Sequence, residues 1–538
     1  MRGKLVLFVM ICALAAWGIS LAASGSGGAS AGNDVVRVDG GQISGTSADG
    51  VGIYKGIPFA APPVGDLRWK PPQPVLKWDG VRKCETFGPE CPQSAYPAGS
   101  LYYSAPQPQS EDCLYLNVWT AAAPGDKKPV MVWIHGGGLT RGSGANRAYD
   151  GTAFAKKGVI LVTINYRLGP LGYLAHPELT AESPNHSSGN YGILDQIAAL
   201  KWVQKNIAAF GGNPGLVTIF GESAGSWSVN ALVATPLARG LFQRAIGESG
   251  GSFGPGAYLK QDRNKMPSAE KNGAAFAKAV GAESISALRA VPAEKIISVF
   301  TNDPEGKKFS TQPAVDGWVL PDEIRNIFAQ GKQNDVPVIV GSNGNEMTSL
   351  TVPGTLPKTV DDYHKRLAQQ YGGSTKELDS VYPVKTDADV TKAYLDLVRD
   401  VIFTLPMRTW ARMTGTGHSK AWLYQFTHVP PNPNSNYLGA YHAGEIVYVF
   451  HNLNRPGIAY TEVDSKLSDM MISYWVNFAT TGNPNGKGLP QWAPYNTQQE
   501  PYMDFGDTAQ LRNHLLKQQL DFLEQFQKDR ELERASAR

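Results

Sequence analysis

Short, continuously apolar runs alternating with longer helical patterns predict an α/β protein built on a large, doubly wound, mostly parallel sheet. The runs at 129–134, 159–164, 216–220, 336–340 and 422–426 are apolar on successive residues, as in strands buried on both faces. Between them, segments such as 194–203 place Leu194, Ile197, Leu200 and Trp202 near one side at helical spacing. No linker long enough to separate domains follows residue 33, and no internal repeat occurs. Residues 34–538 therefore read as a single domain. In such a sheet, reactive groups gather at the carboxyl ends of the strands.

At the N-terminus, Met1-Arg2-Gly3-Lys4 is a basic start, and residues 5–21 are almost uninterruptedly apolar. Small residues follow at Ser20, Ala22 and Ala23, which predicts an export signal over residues 1–23, cleaved near Ala22 or Ala23. A retained membrane anchor is the alternative, because the run approaches spanning length. Cys12 lacks the small-residue box of a lipoprotein site. Residues 24–33, rich in Gly, Ser and Ala, form a flexible lead-in. No later segment is long and apolar enough to cross a bilayer, so the mature protein is expected to be secreted or periplasmic, without stable membrane insertion.

Hydrophobic residues make up 42% of the chain and charged residues 18%, with a formal net charge of +3 and no long basic run. This balance argues against nucleic acid as a partner. Without the leader, Cys84, Cys91 and Cys113 remain, which allows one pair at most and leaves one thiol over. No Cys-x-x-Cys occurs, so zinc and dithiol chemistry lack their usual ligands. The stretches 255–330 and 345–420 are expected to be helical insertions that roof the sheet and form a substrate gorge. Residues 510–538 read as a charged, frayed terminal helix.

Gly-x-Ser-x-Gly occurs three times, around Ser30, Ser223 and Ser249. Only Ser223 has a strand-like run before it and a helical pattern after it. The first copy lies in the flexible lead-in, and the third runs into Ser-Phe-Gly-Pro-Gly, which cannot start a helix. A serine alcohol becomes a useful nucleophile on a sharp strand-to-helix turn, beside a base and a preformed anion site. His135-Gly136-Gly137-Gly138 follows the run ending at Ile134. Its backbone can approach a substrate oxygen with no side chain intervening. The amides of Gly137, Gly138 and Ala224 are the expected oxyanion donors.

The base must come late in the chain, after the acid. His135, His176 and His186 come too early, His364 and His514 lie in charged helical surroundings, and His418 precedes the last central strand. His428 and His442 remain, with His451 behind them. The small-residue loop Gly439-Ala440-Tyr441-His442-Ala443-Gly444 favours His442, because an imidazole that moves protons needs room. Glu346 is the only carboxylate on the turn after residue 340 and is the expected partner of the imidazole. Glu222, adjacent to Ser223, is expected to point away from the nucleophile as a buried, hydrogen-bonded support. Asp316 is expected to form a turn.

Glu111-Asp112-Cys113-Leu114-Tyr115-Leu116-Asn117-Val118-Trp119, the His-Gly-Gly-Gly loop, Asn165-Tyr166-Arg167-Leu168-Gly169 and the Gly221-to-Gly225 motif occur in that order. Together they resemble the type-B carboxylesterases, the family of bacterial para-nitrobenzyl esterases, fungal lipases and animal cholinesterases. The likeness runs from about residue 35 to 507. It includes Tyr54-Lys55-Gly56-Ile57-Pro58 and Phe478-Ala479-Thr480-Thr481-Gly482-Asn483-Pro484. The resemblance implies an α/β-hydrolase fold, a triad on Ser223, Glu346 and His442, and an acyl-enzyme route needing no metal or organic cofactor. It also implies a Cys91–Cys113 disulfide closing the loop that rims the gorge, with Cys84 free.

Arg141 lies just past the oxyanion glycines, where related esterases commonly carry small or neutral residues. A guanidinium there could grip a carboxylate on the acyl group, as in the tricarballylate esters of fumonisin-type polyketides. This resembles the fumonisin-detoxifying branch of the family. A structural ion pair or solvent exposure of Arg141 is the alternative. Trp227 reads as acyl-pocket wall or elbow packing, and Tyr96, Tyr102 and Tyr103 as entrance or rim. A short-chain or aryl carboxylesterase, a lipase, an amidase or acyltransferase, and a non-catalytic binding module of the same fold remain alternatives.

Overall fold

The computed structural model describes residues 35–105, 107–263, 266–372 and 375–536. The expected export signal and lead-in lie outside the described residues. Among these residues fourteen strands occur in chain order: β1 Val36–Val38, β2 Gly41–Ser44, β3 Thr46–Ala48, β4 Val51–Pro58, β5 Val81–Lys83, β6 Tyr115–Thr120 and β7 Lys128–Ile134. They continue with β8 Ile160–Ile164, β9 Gly212–Glu222, β10 Arg244–Glu248, β11 Val338–Asn343, β12 Ala421–Phe426, β13 Pro501–Phe505 and β14 Ala509–Asn513. Eleven of them form one sheet in the order β14-β13-β12-β11-β10-β9-β7-β8-β6-β4-β3, and β1, β2 and β5 form a small second sheet.

From β8 to β13 every neighbouring pair in the large sheet is parallel. Antiparallel strands close both edges. Alternation along β7 explains the layering. Val130, Val132 and Ile134 pack into one hydrophobic cluster, whereas Met131 and Trp133 pack into the cluster on the opposite face, as a period of two requires. The helices Tyr191–Asn206 and Ala224–Ala234 contribute Ile197, Leu200, Val229 and Leu232 to the first cluster. The helix Glu462–Thr481 contributes Met471, Trp475 and Phe478 to the second.

The two expected insertions are helical, carrying Ala269–Val280, Ala293–Asn302 and Ile324–Ala329 in the first and Val360–Tyr371, Asp387–Arg399 and Leu405–Gly415 in the second. No helix among the described residues is long and apolar enough to cross a membrane.

The chain end departs from expectation. Residues 509–513 are a strand, and only Lys517–Ser536 is helical. That helix is docked: Leu520 and Leu523 bury in a cluster with Tyr363, Leu367 and Leu378, and Glu524 pairs with Arg412 at 2.7 Å. The charge that suggested fraying is partly spent on partners of the opposite sign.

Candidate active site

Strand register brings the pieces together. Ile134 at the end of β7 lies beside Gly221 on β9, Glu222 beside Glu248 on β10, and Asn343 at the end of β11 beside Phe426 on β12. The five strands run parallel, so the loops that follow their ends share one rim.

Ser223 joins β9 to the helix Ala224–Ala234 with φ 56° and ψ −122°, a costly backbone for a residue with a Cβ. The conformation is held by Ser223 N donating to Glu248 O at 2.8 Å and Trp227 N donating to Ser223 O at 3.0 Å. Gly225 makes the turn possible, because a methyl there would stand 2.0 Å from the Ile134 carbonyl oxygen. Gly136 also lies close: a Cβ on it would stand 3.1 Å from Ser223 Cβ. The glycine loop therefore runs directly over the serine. Among the described residues the amides of Gly137, Gly138 and Ala224 donate to no protein acceptor, and Gly138 is exposed. Ser249, in the third Gly-x-Ser-x-Gly copy, has φ 54° but is fully buried, with no helix following.

Glu346 opens the short helix Glu346–Leu350 and is fully buried. Its Oε1 accepts the Asn343 amide at 2.7 Å, and its Oε2 lies 2.6 Å from His442 Nδ1. A carboxylate there fixes the Nδ1–H tautomer and leaves Nε2 as the basic nitrogen. The Phe403 ring packs 4.9 Å from the imidazole, centroid to centroid. The hydrogen bonds of the described residues include none between Ser223 and His442. Nε2 instead lies 3.1 Å from Glu222 Oε1, an approach without hydrogen-bond geometry, since that oxygen has no hydrogen-bond partner.

Glu222 thus corrects the expectation that it points away. It is buried, but it reaches the imidazole on the side opposite Glu346. Burial raises its carboxyl to about 8, against the pull of His442. Burial also disfavours the His442 cation, yet the charges of Glu222 and Glu346 prevail and push the imidazole up to about 9. The two groups act on each other: the imidazolium pulls the Glu222 carboxyl down, and the Glu222 carboxylate pushes the imidazole up.

A carboxylesterase family model matches residues 32–523. The chain belongs to the carboxylesterase family. Among its relatives are fumonisin B1 esterase of Sphingopyxis macrogoltabida, 39% identical with 87% of this chain and 85% of the relative covered. Para-nitrobenzyl esterase of Bacillus subtilis is 35% identical, with 87% and 93% covered. A solved carboxylesterase of Geobacillus stearothermophilus is similar at TM-score 0.78 and 34% identity, with 90% and 98% covered. The protein is accordingly a carboxylic ester hydrolase with the α/β-hydrolase fold.

In this carboxylesterase Cys91 and Cys113 are joined, their Cα atoms 5.0 Å apart, and Cys84 is a buried free thiol whose pKa burial raises to about 11. Arg141 Nε donates to Ser94 Oγ at 3.0 Å, and the guanidinium sits 4.9 Å over the Tyr96 ring. Among the described residues it has no ion-pair partner. Trp227 is half-buried against the core and also lines a cavity of about 360 Å³ with Phe253, Ile402 and Leu405. Asp316 is a turn-former, accepting the Trp318 and Leu320 amides at 3.1 and 2.9 Å.

The two other candidate bases are engaged elsewhere. His428 lies between Asp464 and Asp507 at 3.0 and 2.7 Å, and His451 contacts Ser468 Oγ at 2.8 Å. Sequence reasoning missed Glu248, Glu445 and Asn343. Asn343 Nδ2 donates to Tyr441 O at 2.8 Å and to Glu445, tying the acid's strand to the base's loop. One signal was available: Gly-Glu-Ser ends both β9 and β10, with Glu222 and Glu248 in register.

Proposed function

We propose that the protein is a secreted serine esterase in which Ser223 is the nucleophile, His442 the base and Glu346 the carboxylate that orients it. The 2.6 Å contact between Glu346 and His442, beside an elbow serine overlaid by a glycine loop with unspent amides, carries this reading. Hydrolysis proceeds in two acyl transfers. The imidazole leaves the Glu222 side and takes the Ser223 proton on Nε2 as Oγ attacks the ester carbonyl; hydroxyl–base distances often tighten only once substrate is bound. The amides of Gly137, Gly138 and Ala224 receive the oxyanion. His442 then protonates the leaving alcohol, and water repeats the sequence on the acyl-enzyme. With p-nitrophenyl acetate, Ser223→Ala is expected to lower kcat by at least about 10³-fold; residual activity near the wild-type rate contradicts the assignment.

The substrate class proposed is esters whose acyl part carries a free carboxylate, such as tricarballylate esters of fumonisin-type polyketides. Arg141 supports it, because among the described residues its guanidinium has neutral partners, a hydroxyl and an aromatic face. The similarity to a fumonisin B1 esterase points the same way. Matched p-nitrophenyl esters of succinate and of butyrate test the idea. Arg141→Ala is expected to lower kcat/KM about 10- to 100-fold on the anionic ester and less than about twofold on the neutral one. Equal losses on both defeat it.

A further inference from the structure

Resting on the esterase reading above, we infer that Tyr102 is a positioning residue for His442, and that the Cys91–Cys113 loop holds both halves of the catalytic site. The loop grips the oxyanion side through Gln93. Its Oε1 accepts the Gly142 amide at 2.7 Å, and its Nε2 donates to the Gly142 carbonyl at 2.9 Å. Ser94 and Tyr96 add their contacts with Arg141. The Tyr96 ring lies 5.7 Å from that of Tyr102. Tyr102 Oη in turn lies 2.7 Å from Ser349 Oγ and 3.1 Å from the His442 carbonyl oxygen.

A phenol has one hydrogen to give, and a carbonyl has none. Ser349 Oγ has a second acceptor in the Glu346 carbonyl at 3.4 Å; when its hydrogen goes to the closer Tyr102 Oη, the phenol's own hydrogen is left for the His442 carbonyl. Ser349 sits in the helix that Glu346 opens, so one side chain of the rim loop touches the carriers of both the acid and the base. The peptide it holds is a strained one. Ala443, next in the chain, has φ 65°, a left-handed backbone that persists only when neighbours over-determine it. With the Tyr102 bond gone, the 442–443 peptide can relax and tilt the imidazole off Glu346. Substrate binding need not change.

Tyr102→Phe keeps the ring and removes the hydrogen bond. With p-nitrophenyl acetate, kcat is expected to fall about tenfold with KM within about twofold, because small misplacements of a catalytic group act on the chemical step. The groups facing His442 are Glu346, Glu222, Glu445 and the Phe403 ring. Loosening the Glu346 contact removes part of the charge that raises the imidazole, so the acid limb of kcat/KM moves to lower pH. Ser349→Ala, which deprives Tyr102 of its donor, shifts both readouts the same way by less. A Cys91→Ser/Cys113→Ser variant loses kcat, and adding Tyr102→Phe to it costs little more.

A wild-type kcat and pH limb in Tyr102→Phe overturn the inference, as does a loss confined to KM, which would make Tyr102 a substrate contact. If that variant does not fold, unchanged kcat in Ser349→Ala overturns it instead. A wild-type chain that does not hydrolyse the ester defeats the esterase reading itself, before any variant is compared.

Discussion

Two glutamates address opposite nitrogens of one imidazole, with Glu346 2.6 Å from Nδ1 and Glu222 3.1 Å from Nε2. Both favour the cation, while catalysis needs the neutral ring. Protonation below the raised pKa removes the base, so kcat/KM is expected to rise with pH along a limb displaced above the ordinary imidazole value of 6.5. Glu222→Gln removes one of the two charges and should move that limb down in pH, read from a kcat/KM profile; an unmoved limb contradicts the pairing. Glu346→Gln removes the group that fixes the tautomer. It should lower kcat by about 10³- to 10⁴-fold even above the limb. The pairing of Glu346 with His442 was legible because chain order and strand ends restrict the choice severely, whereas the turn of the imidazole toward Glu222 rather than Ser223 was not. Nor was the reach of Glu222. Adjacent side chains on a strand face opposite ways, but the left-handed turn at Ser223 breaks that alternation where it matters.

Central strands announced themselves through continuous apolarity, as in β12, where every residue is buried. β14 did not, because it is an edge strand with four of its five residues exposed, and its polar sequence reads equally well as helix. The terminal helix was visible, but its docking was not. That contact depends on Leu520 and Leu523 meeting residues of the 360–397 region, which no local pattern reveals. Leu520→Ala should therefore destabilise the fold by about 2–5 kcal/mol, read as a lower urea midpoint; an unchanged midpoint would mean that the helix adds nothing. At the elbow, Gly225→Ala drives a methyl against the Ile134 carbonyl and is expected to abolish activity by moving Ser223, whether or not the chain still folds.

Across the whole molecule, the sheet supplies the reactive ends, the helical insertions surround them, and one disulfide-closed loop crosses the rim. A Cys91–Cys113 bond suits an oxidising compartment, which agrees with the export signal proposed for residues 1–23. N-terminal sequencing of the exported protein should find a start at Ala23 or Ser24, and an intact Met1 would contradict cleavage. The central claim is that Glu346 and His442 make Ser223, and no other hydroxyl, nucleophilic. It is tested most directly by mapping a fluorophosphonate adduct by mass spectrometry. One adduct per chain on the peptide containing Ser223, formed far more slowly in His442→Ala, is the expected result. An adduct on another residue, or labelling that survives in Ser223→Ala at the wild-type rate, would contradict it.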